Sequence, residues 1–478
     1  MSATPNLPPD RWFEPFGVTD ALIREVLATA TQYGADDADI YFEHSTATSI
    51  MLADRKVSRA YTSVDLGAGV RVVVGDQVGY AYTEDLSRES LLRAAGTAAQ
   101  IARGGRITKP VDASPAVLPD YYPIDRAWSD VAMDVRVPML RKWEQAAFDA
   151  DDRIQRVQAY LADGDKHMLL VRADGRRVAD YRPMTRGSVS CIAVDGDAKE
   201  GGSYNVAARD SLSFYDEARQ GRLVDEAVKR AVRALGAVAP PAGEMPVVLA
   251  AGSSGILLHE AIGHGMEADF NRKGISIYAD KLGKRIAPSE VTIHDDGTVP
   301  HARGAINVDD EGEEVHDTVL VRNGILESYL HDRISARHYG VPTTGSGRRE
   351  SFRHPILPRM RATYMQSGPH SPEEIIKTVK RGLYCESFSN GQVQIGAGDF
   401  AFYVREGRLI EDGKLTTPVK DVNLIGNGPD VLEAIEMVGN DMEIDEGGWT
   451  CGKDGQSVPV SQGMPTVKVG KLSVGGRA

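Results

Sequence analysis

Ten residues near the middle of the chain constrain the fold more than any other stretch: Ala237-Val238-Ala239-Pro240-Pro241-Ala242-Gly243-Glu244-Met245-Pro246. Its prolines lack an amide donor and clash with a preceding helical turn, so no helix runs through it. The chain is therefore expected to divide here, with a linker over 239–246. Upstream, Leu22, Ile23, Val26, Leu27 and Ala30 predict a helix over 19–33 that stops at Gly34. Strands are expected over 38–44, 49–53, 57–62, 67–74 and 79–82, then a helix over 86–103. A helix over 137–151 tolerates Pro138 in its first turn. Strands follow over 154–162, 168–173 and 187–193, and a helix over 223–235. Strands followed by a long helix, twice over, read as an α+β domain over 19–238 behind a tail over 1–18.

Downstream, 247–478 reads as a β-rich domain. It opens on a short strand over 247–250. A hairpin turns at Asn323-Gly324, and short strands recur near 392–395, 401–405 and 467–469. Helices are expected over 372–384, capped by Ser371, and over 430–438. The expected class is α+β in two domains, the second carrying the helix with the most informative motif.

That motif is Leu257-Leu258-His259-Glu260-Ala261-Ile262-Gly263-His264. Two imidazoles can hold zinc, and a glutamate beside them can take a proton from a water that the metal polarises. The spacing is one residue longer than H-E-x-x-H. Residues four apart on a helix lie roughly 40° apart around the axis, but residues five apart lie roughly 140° apart. His259 and His264 can share an ion only if the helix widens by one residue, as in a π-type bulge. Gly263 and Gly265 flank the second histidine and are expected to supply the dihedral freedom such a turn needs. The short motif alone does not separate a metal site from a polar helix end or a satisfied core pair; a third ligand would.

Cys451 is the candidate for that ligand. It lies in Gly447-Gly448-Trp449-Thr450-Cys451-Gly452-Lys453-Asp454-Gly455, where glycines let backbone approach a partner closely, and Lys453 favours a thiolate. The plain alternative is a small packed residue. Cys191 reads as core, and Cys385 ends a helix-like segment without neighbouring ligands. Glu267 and Asp269 either orient a ligand imidazole or are solvated acids at a helix end. Arg348 and Arg349 either clamp a peptide carboxylate or make a surface salt bridge or subunit contact. The seven histidines beyond residue 290 read as structural or solvated.

Composition narrows the classes. A net charge of −13 disfavours direct nucleic-acid binding. Three cysteines are too few for a disulfide framework and fit a reducing compartment. No apolar run reaches the roughly 18 residues of a membrane span. The stretch Met1 to Pro15 lacks the basic and apolar regions of a signal peptide. The expectation is a cytoplasmic protein with no membrane and no nucleic-acid partner.

The run from His259 to Arg272 resembles the active-site segment of the TldD/PmbA metallopeptidases. So do Thr344-Gly345-Ser346-Gly347-Arg348-Arg349-Glu350-Ser351, Val438-Gly439-Asn440-Asp441 and Cys451-Gly452-Lys453-Asp454-Gly455-Gln456-Ser457. The likeness extends over nearly the whole chain and keeps every metal position, so it is to the active rather than the metal-free subunit. The resemblance implies one Zn²⁺ held by His259, His264 and Cys451, with Glu260 as base. It implies a heterodimer with a metal-free subunit of the TldE/PmbA type, although a second copy of this chain is the alternative mate. It further implies a chamber open only to unfolded or extended peptides. An older label ties the family to DNA gyrase. An exposed strand edge near the metal is expected to take the peptide as an added strand.

Two rival readings stay open at this point. One is a non-catalytic peptide-binding or chaperone-like partner with a structural metal. The other is a cysteine hydrolase with Cys451 as nucleophile and His259 or His264 as base.

Overall fold

The structure, a computed structural model, describes residues 8–105 and 110–475. The first half is one sheet of long strands, antiparallel except for a short strand, Ser114–Pro115, that pairs in parallel with Arg176–Arg177. They are β1 (Asp37–Ala53), β2 (Lys56–Val74), β3 (Gln77–Thr83), the short β4 (Ser114–Pro115), β5 (Ile154–Arg172), β6 (Arg176–Asp195) and β7 (Ala198–Ala208). The order is β3-β2-β1-β5-β6, with β4 and the edge strand β7 both on β6. Four helices accompany it: α1 (Asp20–Ala30), α2 (Arg88–Ile101), α3 (Met133–Ala150) and α4 (Glu217–Leu235).

Several expected strands are pieces of longer ones. The segments 154–162 and 168–173 join through Asp163-Gly164-Asp165 into one strand. Asp163 pairs with Arg136 of α3 at 2.7 Å, and Asp165 accepts the Trp128 and Ser129 amides at 3.1 and 2.7 Å. Those acids hold the neighbouring helix rather than bend the strand. Of the expected tail, Met1–Leu7 lie outside the described residues, whereas Phe13 and Val18 are buried in the core with α1.

The parity of β1 explains the layering. Ile40, Phe42, Ile50 and Leu52 share one face, and all are buried under the helices. Asp39, Tyr41 and Glu43 share the other face and are equally buried, against the second half of the chain.

The second half opens with β8 (Gly243–Leu249), so the last residues of the expected linker already belong to a sheet. Pro246 is tolerated there because the register with the 467–475 strand shifts beside it. The sheet runs 381–393, 243–249, 467–475, 422–427 and 399–411, and the last strand pairs with the first, closing it into a small barrel. A six-stranded sheet packs beside it. The expected helix over 372–384 stops at Lys377, and a strand begins at Arg381. Leu383, Tyr384 and Cys385 pair with Val247–Leu249, so barrel closure overrides the helical spacing. Cys385 is therefore a buried strand residue. The expected helix over 430–438 likewise ends at Glu433, because Ile435–Val438 pair with Val467–Val469. Among the described residues, no helix is long and apolar enough to cross a membrane.

Candidate metal centre

From β8 the chain enters one irregular helical run. A 3₁₀ turn over Ser253–Gly255 and an α turn over Ile256–Leu258 lead to a π turn over His259–Gly263, then a 3₁₀ turn over His264–Met266. The five-residue spacing thus meets the widened turn it requires. The glycines act differently from the sequence expectation. Gly263 has ordinary helical backbone, φ −52° and ψ −52°. Its role is space: a Cβ there would lie 1.9 Å from Met360 Sδ, and one at Gly265 would lie 2.6 Å from Tyr278 Cδ2. Carbonyls of the run find outside donors. The Tyr278 hydroxyl donates to Ala261 O at 3.1 Å, and Asn271 Nδ2 and Ser276 Oγ donate to Gly265 O at 2.8 and 2.7 Å.

The widened turn brings His259 and His264 to ring centroids 5.1 Å apart, nearly perpendicular. Cys451 arrives from 187 residues away on a hairpin formed by Thr450–Lys453 and Gln456–Pro459, with Sγ 3.4 Å from His264 Nε2. One donor atom from each of the three side chains falls within 4.8 Å of the others, and all three residues are buried. Burial pushes the Cys451 thiol up, but the two imidazoles hold it well below its ordinary value. That direction favours the thiolate, the form that binds metals. Burial pulls both histidines down, and the neighbouring anions outweigh it: Cys451 for His259, and Glu267 with Cys451 for His264.

Glu267 and Asp269 are interior, not solvated acids at a helix end. Glu267 Oε2 accepts from His264 Nδ1 at 3.0 Å, which fixes the tautomer that turns Nε2 toward the sulfur. Burial pushes Glu267 up, yet Lys453 and His264 hold it down at about 2. Lys453 is held by carboxylates: its Nζ lies 2.6 Å from Asp269 and 3.2 Å from Glu267. Asp269 thus reaches the site through Lys453.

Glu260 alone in the π turn is half-buried, and it lines two cavities. One, of about 510 Å³, contains His264, Cys451 and Gly452. The other, of about 460 Å³, contains Arg186, Tyr204 and Thr450. Gly391 closes over the carboxylate, since a Cβ there would lie 3.1 Å from Glu260 Cγ.

Arg348 and Arg349 engage different partners inside the protein. Arg349 lies over the Tyr41 ring at 4.4 Å, donates to Asp310 O at 3.2 Å and stands 3.6 Å from Asp39. Arg348 donates to the carbonyls of Met360 and Pro459 at 2.6 and 2.7 Å. Two arginines escaped the sequence reading. Arg359, fully buried, donates to Cys451 O at 2.6 Å and stands 3.7 Å from Glu267. Arg303 donates to Trp449 O at 2.9 Å and to the Thr450 hydroxyl at 3.2 Å. No local pattern marks either one, because each meets the hairpin only in the folded chain.

Comparison with known proteins gives a consistent picture. Three family models match the chain: PmbA/TldA metallopeptidase domain 1 over 38–102, the central domain over 126–235 and the C-terminal domain over 242–476. A metalloprotease TldD homolog of Haemophilus influenzae is 39% identical over 454 residues, covering 92% of this chain and 93% of that protein. A zinc metalloprotease TldD homolog of Saccharolobus solfataricus is 30% identical, covering 94% and 98%. Among solved structures, TldE of Thermococcus kodakarensis superposes with a TM-score of 0.75 at 18% identity, covering 95% of this chain and all of that one.

Proposed function

This chain belongs to the PmbA/TldD metallopeptidase family and is a metallopeptidase; we propose that it is zinc-dependent, with His259, His264 and Cys451 as ligands and Glu260 as base. The single observation that carries this reading is the convergence of the three donor atoms within 4.8 Å from segments so distant in sequence. Two imidazoles and a thiolate suit zinc, and three protein ligands are the catalytic rather than the structural number. When bound, the ion supplies Lewis-acid polarisation of a peptide carbonyl and of water.

The rest is done by the chain. Glu260 takes a proton at its carboxylate from the attacking water and returns it to the leaving amine nitrogen. Glu267 fixes the His264 ring, and Arg359 fixes the backbone that carries the sulfur. Unfolded or extended peptides suit the surroundings of Glu260. Among the described residues the edge strand β7 has β6 as its strand partner, and its Ala207 amide and Ser203 carbonyl are held by Glu446 and Arg230. Its Ser203, Tyr204 and Asn205 line the Glu260 cavity, so an extended peptide can add alongside between those two points. The partner is a metal-free subunit of the TldE/PmbA type or a second copy of this chain. The shared fold of TldE, over almost the whole length of both chains, supports such a pairing.

The test is Glu260→Gln with metal content measured beside peptide hydrolysis. The variant is expected to retain one zinc and to lose about 10²- to 10⁴-fold in rate. Undiminished hydrolysis would remove Glu260 from the chemistry. Loss of zinc in Cys451→Ala completes the assignment.

A further inference from the structure

A third cavity, of about 330 Å³, lies against the same hairpin that carries Cys451, and cationic side chains outnumber acidic ones on its wall. Its size falls within the roughly 300–1,000 Å³ of small-ligand pockets. Two of its arginines are matched inside the protein. Arg182 bridges Asp180 and Asp310 at 2.8 and 2.7 Å, and Arg349 lies against Asp310 and Asp39.

Three others have no carboxylate within 4.0 Å among the described residues: Arg209, Arg303 and Arg348. Arg209, only 4% exposed, reaches a single acceptor, Pro183 O at 3.5 Å, and its buried Nε has no partner. Arg303 and Arg348 donate to neutral groups of the hairpin and of Met360. The acids on the same wall are already engaged. Asp165 accepts two backbone amides, and Glu350 accepts the Ser457 amide at 2.6 Å. Burial, and then the charge of Arg209, push Arg348 down to about 9. Burial, then Arg186 and Arg209, push Arg303 down to about 10. Asp180 and Asp310 act on Arg209 only from a distance, and Asp310 likewise on Arg348. Gathering buried like charges without a directly paired carboxylate costs free energy, and a bound anion offsets that cost through charge-assisted hydrogen bonds.

The cavity is coupled to the reaction site by one residue. Thr450, next to Cys451, lines this cavity and both cavities that Glu260 faces. Its hydroxyl is held by Arg303, and its strand partner Pro459 is held by Arg348.

We propose that this cavity is a carboxylate subsite, taking a side-chain or C-terminal carboxylate of the same peptide whose scissile bond lies at Glu260. The assignment rests on the hydrolytic reading of the His259–His264–Cys451 centre. An unmodified peptide at neutral pH supplies its anionic charge chiefly as carboxylate, and a chain of net charge −13 otherwise repels acidic peptides, so a preference for them needs a built site.

The test uses the full-length, zinc-loaded Glu260→Gln protein and labelled peptides whose binding is followed by fluorescence anisotropy. One peptide is neutral with a C-terminal amide, one bears a free C-terminal carboxylate, and one bears an internal glutamate with the amide terminus. At least one anionic peptide is expected to bind about tenfold or more tighter than the neutral one. A preference for the free terminus identifies trimming from the C-terminal end, and a preference for glutamate identifies side-chain selectivity. Adding Arg209→Gln is expected to bring the ratio near one, while Arg209→Lys retains part of it. Equal affinities across the three peptides in the Glu260→Gln protein overturn the subsite, whether or not the arginine variants fold. Failure of the hydrolytic reading is separate: the wild-type protein would then cleave none of the three peptides while discrimination persisted.

Discussion

Glu267 is fully buried and faces three cationic groups at once: the His264 imidazole, Lys453 Nζ at 3.2 Å and Arg359 Nε at 3.7 Å. Its carboxylate is the hub that fixes which nitrogen His264 presents, so its worth is read in metal affinity rather than in substrate contact. Glu267→Gln keeps the shape, removes the charge and leaves Asp269 as the one carboxylate on Lys453 among the described residues. Zinc affinity, measured by competition with a chromogenic chelator, is expected to fall about 10- to 100-fold. An unchanged affinity would mean that His264 is held by packing alone. The residue scale is also where the sequence was most legible. His259, Glu260, His264 and Cys451 stood out because their chemistry is unusual for their neighbours. Arg303 and Arg359 did not, because a guanidinium on a backbone carbonyl leaves no spacing to read.

At the scale of elements, the π turn is an arrangement that packing enforces. Its widened form is compatible with Gly263 because Met360 occupies the space beside the missing Cβ. Gly263→Ala must therefore displace Met360 or the turn, and with the turn goes the approach of His259 to His264. The variant is expected to bind zinc at least about tenfold more weakly, and Gly263→Ala with Met360→Ala is expected to recover part of that loss, since contacting residues couple. Chelator titration of the single and double variants reads the coupling; purely additive losses would show that Met360 does not hold the turn. The odd histidine spacing foretold the bulge, but the reason for the glycine lay in a methionine 97 positions later, invisible before folding. The same holds for the missed elements. Pro372–Lys377 begins at the cap the sequence suggests, and Gly428–Glu433 begins two residues before its expected start; both then give way to strands because the barrel needs those partners. Local propensity differences are smaller than the gain from completing a sheet.

For the whole molecule, the joint between the halves decides whether the site exists, since the Glu260 cavity takes Arg186 and Tyr204 from the first half and Thr450 from the second. That joint is a buried ionic one. Arg71 of β2 lies 2.6 Å from Asp39 of β1 and 2.5 Å from Glu311, which is 240 positions away. All three are at most 2% exposed, so water does little to screen them. Burial raises Glu311 to about 6 even with Arg71 beside it. Arg71→Met removes the cation that Asp37, Asp39 and Glu311 share and leaves Glu311 without its ion pair in a dry interface. At neutral pH the variant is expected to lose about 3–5 kcal/mol in a denaturant titration, the usual cost of breaking a buried pair from one side. The deficit has a pH dependence of known sign. Without Arg71, Glu311 binds its proton more tightly folded than unfolded, since burial already raises it with the arginine present. The penalty is thus small below the unfolded carboxyl value and grows as pH rises through the raised folded one. The gap between wild type and variant should therefore narrow on going from pH 7 to about pH 4.5. A gap of equal size at both pH values would mean that the lost stability is packing of the arginine stem, not the charge that ties one half of the molecule to the other.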